Sequence, residues 1–152
     1  MSNLPEMQPS RSSSTPTVAF FPSIDNEMAA QIKEHSKPHA LDPDGVLFRE
    51  GDAPTRLYFL RAGEATIAVA NQAISCLQVG AGSLIGLSSV LANQRHETTA
   101  IVSQDAQVDA LEPSEFLALI DRHPALHLRV LQILASETEA VFDRLTQELA
   151  FA

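Results

Sequence analysis

Histidines, one cysteine and a serine pair that follows a glycine are the residues of this chain whose types can do chemistry. Among His35, His39, His96, His123 and His127, the pair His123 and His127 stands four apart where a helix is expected, the spacing that can put two imidazoles on one helical face and bind zinc. No third ligand lies nearby, and Pro124 between them starts a helix, so they read as surface histidines. Cys76 sits in an apolar run with no neighbouring histidine, and the chain has no G-x-S-x-G elbow, so it reads as a small buried hydrophobe, not a nucleophile. Glu137, Glu139 and Asp143 fall within a helical pattern, where such charges ordinarily form a solvated face. What remains is Gly86 with Ser88 and Ser89: a glycine lets backbone approach a ligand closely, and amides and hydroxyls at a helix start can cradle an anion.

Composition limits the partners. The chain has 152 residues, 45% hydrophobic and 19% charged, which suits one globular core. Ten Lys and Arg against nineteen Asp and Glu give a net charge of −9, which opposes binding to a phosphate backbone. One cysteine permits no internal disulfide and no multi-thiolate metal or iron-sulfur site, which fits a reducing compartment. No apolar run reaches membrane-spanning length and no secretory leader is readable at the start, so a cytoplasmic protein without membrane contact is expected.

Elements follow from pattern. Residues 1–22 are rich in Ser, Thr and Pro, with RSSST at 11–15, and are expected to form a flexible tail preceding a domain over 23–152. A helix should start at Ser23 as N-cap, with Asp25 and Glu27 in its first turn, and end before Pro38. Short apolar or alternating runs then recur at 46–48, 57–60, 66–69, 73–79, 98–102 and 107–111, the texture of an antiparallel sandwich or barrel. Turns fall at Gly51-Asp52, Ala62-Gly63 and Asn71-Gln72. A short helix near Gly86 interrupts the strands, with Ser88 or Ser89 able to cap it. Pro113 starts a helix through Phe116, Leu119 and Ile120, and Pro124 opens a much longer one. Along that helix Leu131, Leu134, Thr138, Val141, Leu145 and Leu149 recur at spacings of three and four, with Phe142 beside them. The first half of the stripe should pack on the sandwich. The second half, past Thr138, outruns a compact roll and suggests a dimer seam over Leu134, Thr138, Val141, Phe142, Leu145 and Leu149.

In order and spacing, G45-V-L-F-R-E-G-D52, L57-Y-F-L-R-A-G63, G80-A-G-S-L-I-G86, T99-A-I-V102 and F116-L-A-L-I-D-R-H-P124 resemble the cyclic nucleotide-binding domain family, the sensor module of catabolite-activator-type regulators. The resemblance spans about 23–142. It implies a mainly β fold with flanking helices, a double-stranded β-helix or jelly roll, and a long C-terminal helix that commonly dimerises. It also implies a ligand pocket at Gly86, Leu87, Ser88, Ser89, Thr98, Thr99 and Ala100. In the family a carboxylate after the glycine holds the ribose and an arginine before the Thr-Ala pair neutralises the cyclic phosphate. Here Leu87 and Thr98 stand at those positions, so the pocket is degenerate.

Losing both contacts weakens binding by about two to four orders of magnitude, at roughly 1.5–3 kcal/mol for each hydrogen bond to a charge. Arg95 and His96 are the nearest substitutes for the lost charge, and both are expected in an exposed loop. The 29 residues from Pro124 to Ala152 are taken up by the long helix, so no DNA-reading helix-turn-helix is expected. The sequence therefore reads as a non-catalytic regulatory module without a cofactor, acting as a homodimer or through a protein partner. The alternatives are a working small-ligand or cyclic-nucleotide sensor using Gly86, Ser88, Ser89 and Thr99, or a cupin-type metalloenzyme.

Overall fold

The structure, a computed structural model, describes residues 17–18, 24–69 and 76–150, with side chains described over 24–68 and 77–137. Its organising strand is β4 (Leu57–Ala62), where LYFL offers apolar groups on both faces of the pleat. Leu57 and Phe59 enter one buried cluster, whereas Tyr58 and Leu60 enter another on the opposite face. A strand buried on both sides needs a layer on each side, and the remaining elements supply them.

One sheet holds β2 (Lys37–Pro38), β9 (Gln107–Leu111), β4 and β7 (Leu84–Ile85) in that order. Pro38, which lacks a backbone donor, sits in an edge strand where the loss is harmless. The other sheet runs β1 (Thr17–Val18), β6 (Cys76–Val79), β5 (Ala65–Val69), β8 (Thr98–Val102) and β3 (Val46–Phe48). All pairings are antiparallel except β1 on β6. Between the sheets lie Phe48, Tyr58, Leu60, Ala100, Val102 and Val108. This is the mainly β, jelly-roll architecture with flanking helices that the sequence implied.

Helices cover the outer face of the β4 sheet. They are α1 (Asn26–Glu34), α2 (Leu87–Ala92), α3 (Pro113–Arg122) and α4 (Pro124–Ala150). Ile32, Phe116 and Leu119 are fully buried there with Leu57 and Phe59. On the same face Arg61 Nε reaches Asp109 Oδ2 at 2.8 Å, which pairs a carboxylate that is only 3% exposed.

Local chemistry refines several boundaries. Asp25, not Ser23, caps α1: its Oδ1 accepts from the Met28 amide at 2.9 Å, and Ser23 lies outside the described residues. The strands at 46–48, 98–102 and 107–111 lie where alternation puts them, while β7 hides in the glycine-rich turn before Gly86, too short to show a period. Within the 1–22 stretch, Thr17–Val18 pairs with β6, and the rest lies outside the described residues, as do Asn71 and Gln72. Gly63 is required twice over. Its φ is +90°, and a Cβ would come within 2.7 Å of Ala106 Cα.

Helix α4 corrects the reading of its first half. Leu126, Val130 and Ile133 are the buried positions, whereas Leu131 is 52% exposed and Leu134 packs only partly against the same cluster. The helix is apolar on more than one face, and packing selects a stripe one residue away from the one that runs on towards Leu149. Glu137, read above as part of a solvated face, is half-buried, and burial pushes its carboxyl up to about 7. The side chains of Thr138, Val141, Phe142, Leu145 and Leu149 lie outside those described.

Truncating Phe116, which no solvent reaches, removes the ring that joins α3 to β4. Phe116→Ala should cost about 3–5 kcal/mol, seen as a lowered urea midpoint with an unchanged slope.

Candidate functional site

Strand β7 ends at Gly86, whose φ of +88° lets the chain leave the sheet and enter α2 at once. No side chain caps this helix, so neither Ser88 nor Ser89 plays the capping role foreseen for them. Leu87 begins the helix fully buried in the cluster beneath α1, α3 and α4. A side chain there belongs to the helical core.

Two rings lie on the open side of Gly86. A Cβ on this glycine would stand 3.2 Å from His96 Cε1 and 3.3 Å from Phe48 Cε2. The imidazole of His96 and the ring of Phe48 stack with centroids 3.6 Å apart and planes 8° from parallel. His96 is thus 3% exposed, which overturns its expected place in an exposed loop.

The backbone around the pair is interlocked. His96 donates its amide hydrogen to the Asp52 carbonyl at 3.0 Å, and its carbonyl accepts from Gly51 at 2.8 Å. Arg95 Nη1 donates to the Gly51 carbonyl at 2.7 Å, so its guanidinium is committed away from Gly86. The Glu50 amide donates to Thr99 Oγ1 at 3.0 Å, and the Arg49 amide to Asp52 Oδ2 at 2.9 Å. The two segments, 49–52 and 95–99, therefore hold each other and keep the ring pair in place.

Of the residues singled out from sequence, Gly86 faces the ring pair, and Ala100, fully buried, lies opposite Phe48 in the β3–β8 register. Thr98 and Thr99 are half-buried on β8, with the Thr99 hydroxyl accepting from Glu50. Ser88 is exposed and Ser89 half-buried on α2. Sequence reading did not single out Phe48, and it weighed His96 only as a substitute charge in an exposed loop. Phe48 looks like any strand residue, and the contact of His96 with it spans 48 positions of chain, which no local period reports.

Beside the pair lies a cleft of about 240 Å³ whose lining includes Phe48, Tyr58, His96, Asp52 and Arg56. His39 meets Tyr58 edge-on with centroids 5.0 Å apart. Burial raises the Tyr58 hydroxyl above its usual range, against the pull of Arg56. Burial lowers His96, against the attraction of Asp52, and burial followed by Arg56 lowers His39. Both imidazoles are therefore uncharged at neutral pH. Among the described residues no three His, Cys, Asp or Glu side chains gather as a metal site, and no helix is long and apolar enough to cross a membrane.

Comparison with known proteins places this geometry. Residues 38–123, more than half of the chain, match the family model described as the cyclic nucleotide-binding domain. Among solved structures, the catabolite activator protein of Thermus thermophilus is 23% identical with a TM-score of 0.61, the match covering 84% of this chain and 60% of that one. A cyclic nucleotide-binding domain from Methylobacillus flagellatus is 21% identical with a TM-score of 0.66, covering 82% and 74%. A cAMP-binding acyltransferase from Mycobacterium smegmatis is 19% identical with a TM-score of 0.57, covering 67% of this chain and 32% of that enzyme. At these identities the likeness is one of fold. No curated protein matches the sequence.

A pH titration tests the buried pair. Because the folded pKa of His96 lies below its ordinary 6.5, the unfolded chain takes up a proton first, so His96 contributes a loss of stability as pH drops through about 6.5, which Glu137, raised to about 7, opposes over the same range. His96→Phe keeps a ring on Phe48 and removes this proton uptake. Urea melts between about pH 7.5 and 5 should show stability falling less with acidification in the variant than in the parent, the remaining dependence combining His39 with the opposing Glu137.

Proposed function

Since the chain belongs to the cyclic nucleotide-binding domain family, we propose that it is a non-catalytic regulatory module whose nucleotide site is closed by its own side chains. One observation carries this reading: the stacked Phe48–His96 pair lies against Gly86, where even one added carbon would be crowded at 3.2 Å. The residues around it agree. Leu87 packs into the helical core, Thr98 brings no charge, and Arg95 is bound to Gly51.

A cyclic phosphate is a monoanion, and burying it without a cation leaves a charge that amides and hydroxyls compensate poorly. Entry at Gly86 would also require unstacking the rings and parting the 49–52 and 95–99 segments. The reading in which Gly86, Ser88, Ser89 and Thr99 form a working sensor is weakened because the Thr99 hydroxyl already accepts from Glu50. We place the protein in the cytoplasm on its composition and single cysteine. Its output would pass through self-association or a protein partner, and not through nucleic acid, given the net charge of −9.

Isothermal titration with cyclic AMP and cyclic GMP tests the closed site, with thermal shift as a second readout. No binding is expected up to millimolar nucleotide, and micromolar binding of either would overturn the proposal. For self-association, the apolar spacing through Val141 and Leu145 suggests that Val141→Glu or Leu145→Glu converts a dimer to a monomer in sedimentation. Unchanged mass in both variants would exclude a homodimer built on that stripe.

A further inference from the structure

The cleft beside the ring pair has the chemistry of a ligand site in its own right. Its buried floor is Phe48, Tyr58 and His96 with Leu47, and its exposed rim carries Asp52, Thr55 and Arg56. We infer that this cleft binds a small zwitterion, an α-amino acid with an apolar side chain being the simplest, with Arg56 on its carboxylate, Asp52 on its ammonium and the rings against its side chain.

Charge carries the choice of ligand class. The rim has one cation and one anion, and among the described residues neither is in an ion pair, with the other or with any third group. Asp52 spends Oδ2 on the Arg49 amide, and its second oxygen keeps its accepting capacity. A simple anion would leave Asp52 facing like charge, and a simple cation would leave Arg56 so. A zwitterion satisfies both.

The floor gives independent support. His96 is 3% exposed and lines the cleft, its ring held flat against Phe48. The flat faces of Phe48 and Tyr58 suit an aliphatic or aromatic body, and about 240 Å³ accommodates a compound of amino-acid size. Gly86 is not among the residues that line this cleft, so a failed cyclic-nucleotide titration and a failed titration here are different results.

The test is thermal shift and isothermal titration of the full chain with L-phenylalanine and L-leucine, alongside benzoate and 2-phenylethylamine as carboxylate-only and amine-only probes. At about 100-fold over its Kd, a bound amino acid should raise the melting midpoint by roughly 5–10 °C. Benzoate and the amine should bind roughly 10- to 100-fold more weakly, each having lost one charged contact. Arg56→Ala changes an exposed side chain and should fold normally while losing the shift, and Asp52→Asn should weaken the amino acid but not benzoate. No shift with either amino acid at tens of millimolar, an equal shift in Arg56→Ala, or benzoate binding as well as L-phenylalanine would each overturn the assignment.

Discussion

The burial of β4 on both faces is the constraint from which the rest of the molecule follows. A run of four apolar residues in an extended strand sends alternate side chains to opposite sides, so Leu57 and Phe59 demand one covering layer and Tyr58 and Leu60 another. The helices meet the first demand and the second sheet meets the other. The same strand pairs with β7, which positions Gly86, and it presents Tyr58 to the cleft beside His96. Site and core are therefore two consequences of one strand.

Gly86 lies where the two layers meet, and what faces it decides the chemistry. In a ligand-binding arrangement that space would hold a phosphate, with a cation to offset its charge. Here it holds a neutral imidazole stacked on a phenyl ring, an arrangement worth about 0.5–1.5 kcal/mol beyond the area it buries. The gain per contact is modest, but the backbone bonds between 49–52 and 95–99 fix both partners in advance. Displacing the rings means breaking that clasp as well.

How much of this was legible in the sequence depended on the range of each interaction. Strands β3, β8 and β9 and helix α3 announce themselves through alternation and through Pro113, all signals within a few residues. The fold followed from those pieces in order. Cap assignment failed where two candidates competed, as with Asp25 and Ser23, because a side-chain oxygen at either position can serve. The stripe on α4 was misplaced at Leu131 because a helix with apolar residues on several faces does not say which one its neighbours cover. For the candidate site, the uncharged Leu87 and Thr98 were plain in the sequence, but the direction of Leu87 and the stacking of Phe48 on His96 were not. Both are tertiary contacts between segments far apart in the chain.

A closed site requires the ring pair to stay against Gly86 in the presence of nucleotide. The chemical shift of the His96 Hε1 proton, followed by NMR while cyclic AMP is added to millimolar concentration, reports this directly. Stacked over a phenyl ring with centroids 3.6 Å apart, that proton should resonate upfield of an ordinary imidazole and stay there throughout the titration. A shift back towards the free-imidazole position, saturating with nucleotide, would show the rings parting to admit a ligand and would contradict the closed site.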